Sequence, residues 1–293
     1  MRGLVQAVSP AILERLVFSK PYFDRNGFIL AMADERPVGF VHAGFGANEN
    51  RSAISYERGT TCLLIVAAHE SRAEIVAELL ARSEQYLRNK GATEIYAGCA
   101  YPVNPFYLGL YGGSASPGIL ESDENTLELF RSAGYEDAQQ RLVLHRKLAG
   151  FRPVVDRSQM QVRRRINITC SLDPATENWW QACTEGHTNR NQFTIDDRRS
   201  GECFGKATFW DMEPLASNWG VHAVGLMDIE IHEEQRRQGL GTFLLGESLR
   251  QLQAEGATLG EVQILEENGA ARVLFKKLGF EEVDRGSVLR KLT

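Results

Sequence analysis

Residues 223–242 read Ala223-Val224-Gly225-Leu226-Met227-Asp228-Ile229-Glu230-Ile231-His232-Glu233-Glu234-Gln235-Arg236-Arg237-Gln238-Gly239-Leu240-Gly241-Thr242, and this stretch decides the fold. Leu226, Ile229 and Ile231, interleaved with Asp228 and Glu230, carry the alternation of a strand over 223–231. Arg236 to Gly241 fit Arg-x-x-Gly-x-Gly and run into an amphipathic helix over 241–255, striped by Leu245, Leu249 and Leu252 and closed by Gly256. A turn of this kind sets backbone N–H groups at a helix N-terminus, where they can hold a phosphate. Gly239 and Gly241 remove side chains that would block close approach, and Arg236 and Arg237 add positive charge. The glycine spacing differs from the dinucleotide-binding fingerprint, and the preceding strand is acidic, so this is not a Rossmann loop.

Downstream, the pattern predicts a strand Glu261-Val262-Gln263-Ile264-Leu265, a short helix from Asn268 to Leu278 and a final strand pair. The same order occurs earlier in the chain. Strands are expected at 27–34, 37–46 and 60–67, then a helix at 71–90 ended by Gly91, then a strand Glu94–Gly98. The two endings echo each other. Leu127-Glu128-Leu129-Phe130 and Ala133-Gly134-Tyr135-Glu136 precede Arg141–Leu148, as Val273-Leu274-Phe275 and Leu278-Gly279-Phe280-Glu281 precede Ser287–Leu292. A period this long indicates a duplicated domain rather than a solenoid. We divide the chain into a first copy (1–149), a linker (150–160) around Gly150-Phe151-Arg152-Pro153, and a second copy (161–293) whose strand pattern restarts at Gln161-Val162-Arg163. The first copy carries about 20 extra residues, an aromatic, glycine-rich insertion at 101–123. It is either a packed structural loop or a wall or lid over a binding cleft.

Composition sets the remaining bounds. The chain has 293 residues, room for two domains, and a formal charge of -5, which argues against a nucleic-acid binder. The basic run Arg163-Arg164-Arg165 reads as a solvated strand edge or linker. No apolar stretch is long enough for a membrane helix, and Met1–Gln6 lacks the apolar core of a signal peptide. Cys62, Cys99, Cys170, Cys183 and Cys203 are odd in number and scattered, the usage of buried thiols in a reducing cytoplasm. No histidine or cysteine spacing suggests a metal.

With the ending Asn268-Gly269-Ala270-Ala271-Arg272-Val273-Leu274-Phe275-Lys276-Lys277-Leu278-Gly279-Phe280 in the right order behind the Arg-x-x-Gly-x-Gly loop, residues 225–292 resemble the GNAT superfamily of acyl-CoA-dependent N-acyltransferases. The resemblance implies an α/β (α+β) protein of two tandem GNAT-like domains, each a mixed V-splayed sheet flanked by helices, with the first a degenerate copy. It also implies acetyl-CoA as co-substrate, an amine of a small molecule or peptide as acceptor, and no metal. The main chain of Ile229 and Ile231 would pair with pantetheine. Arg236, Arg237 and the amides of Gln238, Gly239, Leu240, Gly241 and Thr242 would bind pyrophosphate, and Asn268 and Phe275 would lie beside the cofactor arm.

In that family a substrate amine attacks the thioester, and an amine with a pKa of about 10.4 must first lose a proton. Glu230 and Asp228 project from one face of their strand. Glu230 is the first candidate base and Asp228 the second, against the plain reading of polar positions on a half-solvated strand; His232 is weaker and reads as surface. Many family members place a tyrosine, the proton donor to the leaving thiolate, where this chain has Phe275, so the acid is unassigned. Trp210, Asp211, Glu213, Trp219 and Asp228 suggest an acidic, aromatic acceptor cleft suited to a cationic amine, with core packing the competing role for the tryptophans.

Aligning Leu79-Leu80 with Leu244-Leu245 puts Ser71, Glu74 and Val76 at the positions of Arg236, Gly239 and Gly241, a poor pyrophosphate site unless His69 and Arg72 compensate. The leading expectation is therefore an N-acetyltransferase acting through the second copy. The alternatives are an acyl-CoA sensor without catalysis and an interaction scaffold. A duplication mimics a dimer within one chain, which predicts a monomer or weak homodimer.

Overall fold

The computed structural model of the chain describes residues 9–110, 113–212 and 220–292. After a short helix α1 (Pro10–Leu13), the first copy comprises β1 (Phe28–Ala33), β2 (Arg36–Ala47), β3 (Ile54–Val66), α2 (Arg72–Asn89), β4 (Glu94–Ala97), β5 (Ile119–Leu120), α3 (Glu124–Ser132) and β6 (Glu136–Lys147). The second runs α4 (Arg157–Arg165), β7 (Ile166–Leu172), α5 (Trp179–Glu185), β8 (Arg190–Asp197), β9 (Cys203–Asp211), β10 (Ala223–Ile231), α6 (Leu240–Ala254), β11 (Leu259–Leu265), α7 (Gly269–Lys277) and β12 (Glu281–Leu292). Two expectations need correction. Gln161, Val162 and Arg163 are helical, because α4 is capped by Asp156 and buries Gln159 and Val162 on one face; the strand begins only at Ile166. The chain also ends in one long strand, β12, rather than a strand pair.

Both copies contain a V. In the second, β10 and β11 run parallel only from Ala223↔Leu259 to Gly225↔Glu261, after which β10 continues to Ile231 without β11. In the first, β3 and β4 are parallel from Arg58↔Glu94 to Thr61↔Ala97, and β3 runs on to Val66. Each long strand is bulged where it departs, at Met227 and at Cys62, and bulges increase local twist and bend.

The two sheets are one. The strand order is β1-β2-β3-β4-β12-β6-β11-β10-β9-β8-β7, so the copies have exchanged their last strands. β6, from the first copy, pairs antiparallel with β11 from Leu259↔Lys147 to Leu265↔Arg141. β12, from the second, pairs with β4 from Leu289↔Ala97 to Leu292↔Glu94. β6 and β12 pair with each other along nearly their whole length. Leu142, Leu144 and Leu148 consequently pack in the main core with Phe193, Phe209, Leu244, Leu249 and Phe275.

A second core crosses the copies directly, joining Tyr22, Phe106, Tyr107 and Leu110 to Trp180, Trp210 and Met212. The insertion straps this boundary. Ser114 donates its N–H to Glu261 Oε2 (2.5 Å) and accepts from Trp210 Nε1 at its carbonyl (3.2 Å), while Gln263 Nε2 donates to the carbonyl of Ala115 (2.9 Å).

Because each copy completes the other's sheet, residues 161–293 expressed alone should not fold cooperatively, whereas the full chain should melt in a single calorimetric transition. Two resolved transitions in the full chain, or a sharply melting fragment, would contradict this reading of the exchange.

Candidate active site

The loop between β10 and α6 is built from both ends. A single 3₁₀ turn at Glu233–Gln235 follows the strand, and Arg236 folds back so that its Nε donates to the carbonyl of Ile231 (3.0 Å). Arg237 (φ 63°) and Gly239 (φ 82°) then adopt left-handed backbone. No side chain caps the N-terminus of α6, so its first-turn N–H groups have no side-chain acceptor at the cap. Helix α4 holds the loop from behind: Gln159 Nε2 donates to the carbonyl of Gly239 (3.1 Å) and Arg165 Nη1 to Gln238 Oε1 (3.2 Å). The arginine run thus belongs to the last turn of a helix, with Arg163 paired to Glu247 and Arg165 to Asp197.

The two loop glycines differ. A Cβ on Gly239 would sit 2.9 Å from Gln159 Nε2, on backbone that L side chains disfavour. A Cβ on Gly241 would meet only Leu274 Cδ2 at 3.6 Å and Ile231 Cγ1 at 4.0 Å, ordinary contacts. The chain's own packing requires a glycine at 239 but not at 241. The missing side chain at 241 leaves the backbone there open to close approach. Leu240 and Thr242, on either side of it in the chain, are buried.

Around the V, Ile229 and Ile231 turn their side chains into the core while their main chain follows the strand beyond its last rung with β11. Asn268 Oδ1 accepts from the N–H of Ala271 (3.0 Å) and caps α7. Phe275, 2% exposed, packs edge-on against Phe280 at 5.3 Å, and so serves the core rather than a surface.

The carboxylates separate. Glu230 is 54% exposed on its side chain, with Lys206 Nζ 3.9 Å away, and His232 is exposed as expected. Asp228 instead lines a polar cavity of about 280 Å³ with Glu185, Glu177, Arg51 and Arg190. Desolvation there raises the Asp228 carboxyl above its ordinary range, against the pull of Lys206, and burial raises Glu185 likewise. Arg51, Gln181 and Glu185 also line a larger cleft of about 490 Å³ walled by Tyr101, Phe106 and Trp180. The insertion therefore does form a wall between the copies. Lys20 closes its floor by donating to the carbonyls of Cys183 (2.7 Å) and Thr184 (3.2 Å) at the C-terminal end of α5.

Among the described residues, Trp210, Asp211 and Asp228 of the acidic, aromatic set expected from the sequence are not brought together. Trp210 is buried in the inter-copy core, Asp211 faces His222 at 3.3 Å, and Glu213 and Trp219 lie outside the described residues. Trp180, Glu185 and Arg51 stand in their place. The sequence reading missed them because the cleft joins segments far apart in the chain, and only the length of the insertion hinted at it. Among the described residues no group of His, Cys, Asp and Glu is arranged to hold a metal, and no helix is long and apolar enough to cross a membrane.

With this geometry in hand, comparison with known proteins is decisive for the second copy. Residues 161–280 match the model of the acetyltransferase (GNAT) family. That segment is a GNAT domain. No curated protein matches the sequence. Among solved structures, the chain resembles a tandem GNAT protein from the clavulanic acid biosynthesis pathway, with a TM-score of 0.60 at 14% identity over 90% of this chain and 81% of that one. A GCN5-related N-acetyltransferase from Sphaerobacter thermophilus gives 0.58 at 15%, over 91% and 81%. A glucosamine N-acetyltransferase region of a fungal multi-domain β-N-acetylglucosaminidase gives 0.68 at 14%, over 96% of this chain but 36% of that one. At these identities the likeness establishes the fold, that of tandem GNAT proteins with a large mixed sheet flanked by helices.

Two predictions follow from the loop and the strap. Gly239→Ala should lower stability by about 1–2 kcal/mol, the cost of left-handed backbone, whereas Gly241→Ala should be neutral or slightly stabilising, as alanine is in a helix; urea melts distinguish them. Glu261 is 0% exposed, and burial pushes its carboxyl up to about 7. Its favourable contribution is complete below the unfolded-state value of about 4.5 and is lost as pH rises to about 7, a decline of about 3 kcal/mol that Glu261→Gln should flatten.

Proposed function

We propose that the chain transfers an acetyl or other short acyl group from a CoA thioester to an amine, through the second copy alone. The observation that carries this reading is the α6 N-terminus, uncapped, backed by α4 and left open by a glycine that the fold itself does not need. The amides of Gln238 to Thr242, with Arg236 and Arg237, would hold the pyrophosphate. The free edge of β10 at Ile229 and Ile231 would receive the pantetheine amides, and Asn268 would flank the arm. Bound there, the thioester supplies the electrophilic acyl carbon.

The cavity beside Asp228 is the acceptor side. We assign the proton-accepting role to Asp228 rather than Glu230, acting directly or through one water. Asp228 is itself exposed and feels Lys206 as Glu230 does, but it lines the cavity and desolvation raises its carboxyl, which matches it better to an ammonium's proton. Glu185 shares the cavity and orients the amine. The mixture of acids with Arg51 and Arg190 suits a polar acceptor carrying both charges, or many hydroxyl groups, better than a simple cationic amine. The residue boundaries given above, 1–149 and 161–293, remain our division of the duplication, with the last strands exchanged. Phe275 favours a second reading, because neither its chemistry nor its burial allows it to protonate a leaving group: an acyl-CoA sensor that no longer turns over.

Release of free CoA thiol from acetyl-CoA across a panel of amino sugars, amino acids and diamines decides between them. Amine-dependent release that falls about 100-fold or more in Asp228→Asn and stays within about threefold in Glu230→Gln would support catalysis at Asp228. Binding without release for every amine would favour the sensor. The opposite ranking of the two variants would return the base to Glu230.

A further inference from the structure

The first copy contains a cavity that the proposed reaction does not use. It measures about 420 Å³, lies in the V opened by β3, and is lined by Thr61–Val66 together with Cys99, Ile119, Phe130 and, from the first residue of α2, Arg72. The duplication fixes what this place corresponds to. The alignment of Leu79 with Leu244 pairs the bulged Cys62 with the bulged Met227, so Thr61–Val66 is the counterpart of Leu226–Ile231. Aligning Gly134 with Gly279 pairs Phe130 with Phe275. The cavity therefore occupies the position of the thioester cleft in the second copy.

Its two ends have diverged differently. The phosphate end is built over: α2 starts at Arg72, the counterpart of Arg237, whereas α6 starts only at Leu240. Glu74 stands where Gly239 would be, placing a carboxylate in the first turn, and Val76, in place of Gly241, is buried in the core. The apolar end is kept. Leu63 and Leu64 are only partly packed, and Ile65 remains 49% exposed, large apolar surface that folding has left unfilled. Volume and lining fall within the range of small-ligand sites, apolar with few polar groups. Of the charged groups at the cavity, Asp123 is engaged in capping α3, its carboxylate accepting from the N–H of Thr126 (3.3 Å). Arg72 is exposed at the helix N-terminus, where an anion is favoured.

We propose that the first copy's cleft is a binding site for an aliphatic carboxylate. The chain lies along Leu63–Val66 and against Cys99 and Phe130, and the head group faces Arg72. The inference does not depend on acyl transfer by the second copy, since its readout is binding of a ligand that carries no CoA.

Sodium decanoate titrated calorimetrically into the full chain tests it. We expect saturable binding of about one equivalent, unchanged in Gly241→Glu and weakened at least about tenfold in Thr126→Trp, which fills the cavity from α3. Arg72→Glu, an exposed change that should leave the fold intact, should weaken decanoate by at least about tenfold and leave decan-1-ol unaffected; this variant carries the test if Thr126→Trp melts early. No saturable binding to the wild type, or binding lost in Gly241→Glu, would overturn the proposal. So would binding indifferent to both first-copy variants. Tighter binding of decanoyl-CoA than of decanoate by Gly241→Glu would also overturn it, because a nucleotide would then be contributing where the structure has removed its site.

Discussion

The pairing of β6 with β11 is the constraint on which the rest depends. A V needs a rigid arm, and β11 has β10 beside it only from Ala223 to Gly225. What holds β11 straight past that point is a strand from the other copy, matched from Leu259 to Leu265. Without it the splay would close or fray, because an isolated parallel pair of this length is not stable. The exchange also commits the chain to a single body. The main core of the second copy closes over Leu142, Leu144 and Leu148, and the insertion reaches across to Glu261 and Trp210. The cleft between the copies, with walls from both, follows from that union.

The first copy therefore has structural roles that need no phosphate loop of its own. Its last strand supports the arm of the V, and its insertion walls the cleft between the copies. Glu261 shows the energetic cost. A carboxyl wholly removed from water is tolerated because Ser114 and Gln263 donate to it, and it ties the strap to the base of the V.

Local periodicity made much of the fold legible. β10 was expected at 223–231 and spans Ala223–Ile231; α6 and α7 lie within a residue or so of their expected ends, because amphipathic stripes and terminal glycines are local signals. The family and the loop were readable for the same reason. The strand exchange was not, since β6 is equally suited to pairing with either copy and sequence periodicity carries no partner identity. Helix α4 was misread as strand: Val162 beside Arg163 alternates over too short a span, and the Asp156 cap that reveals the helix was assigned to the linker. At the site, alternation placed Asp228 and Glu230 on one face, and both are exposed, but the packing of α5 and the Arg51 loop gives Asp228 a cavity wall. Trp210 and Asp211 had the right composition for a cleft and the wrong partners.

Binding of a CoA thioester at the α6 N-terminus of the second copy is tested by calorimetric titration of acetyl-CoA into the wild type and Gly241→Glu, where a Cβ meets only ordinary contacts. The wild type should bind about one equivalent and the variant none, because its carboxylate would face the pyrophosphate over the same amides. Failure of the wild type to bind would contradict the assignment of the loop, and undiminished binding by a folded Gly241→Glu would place the thioester elsewhere in the chain.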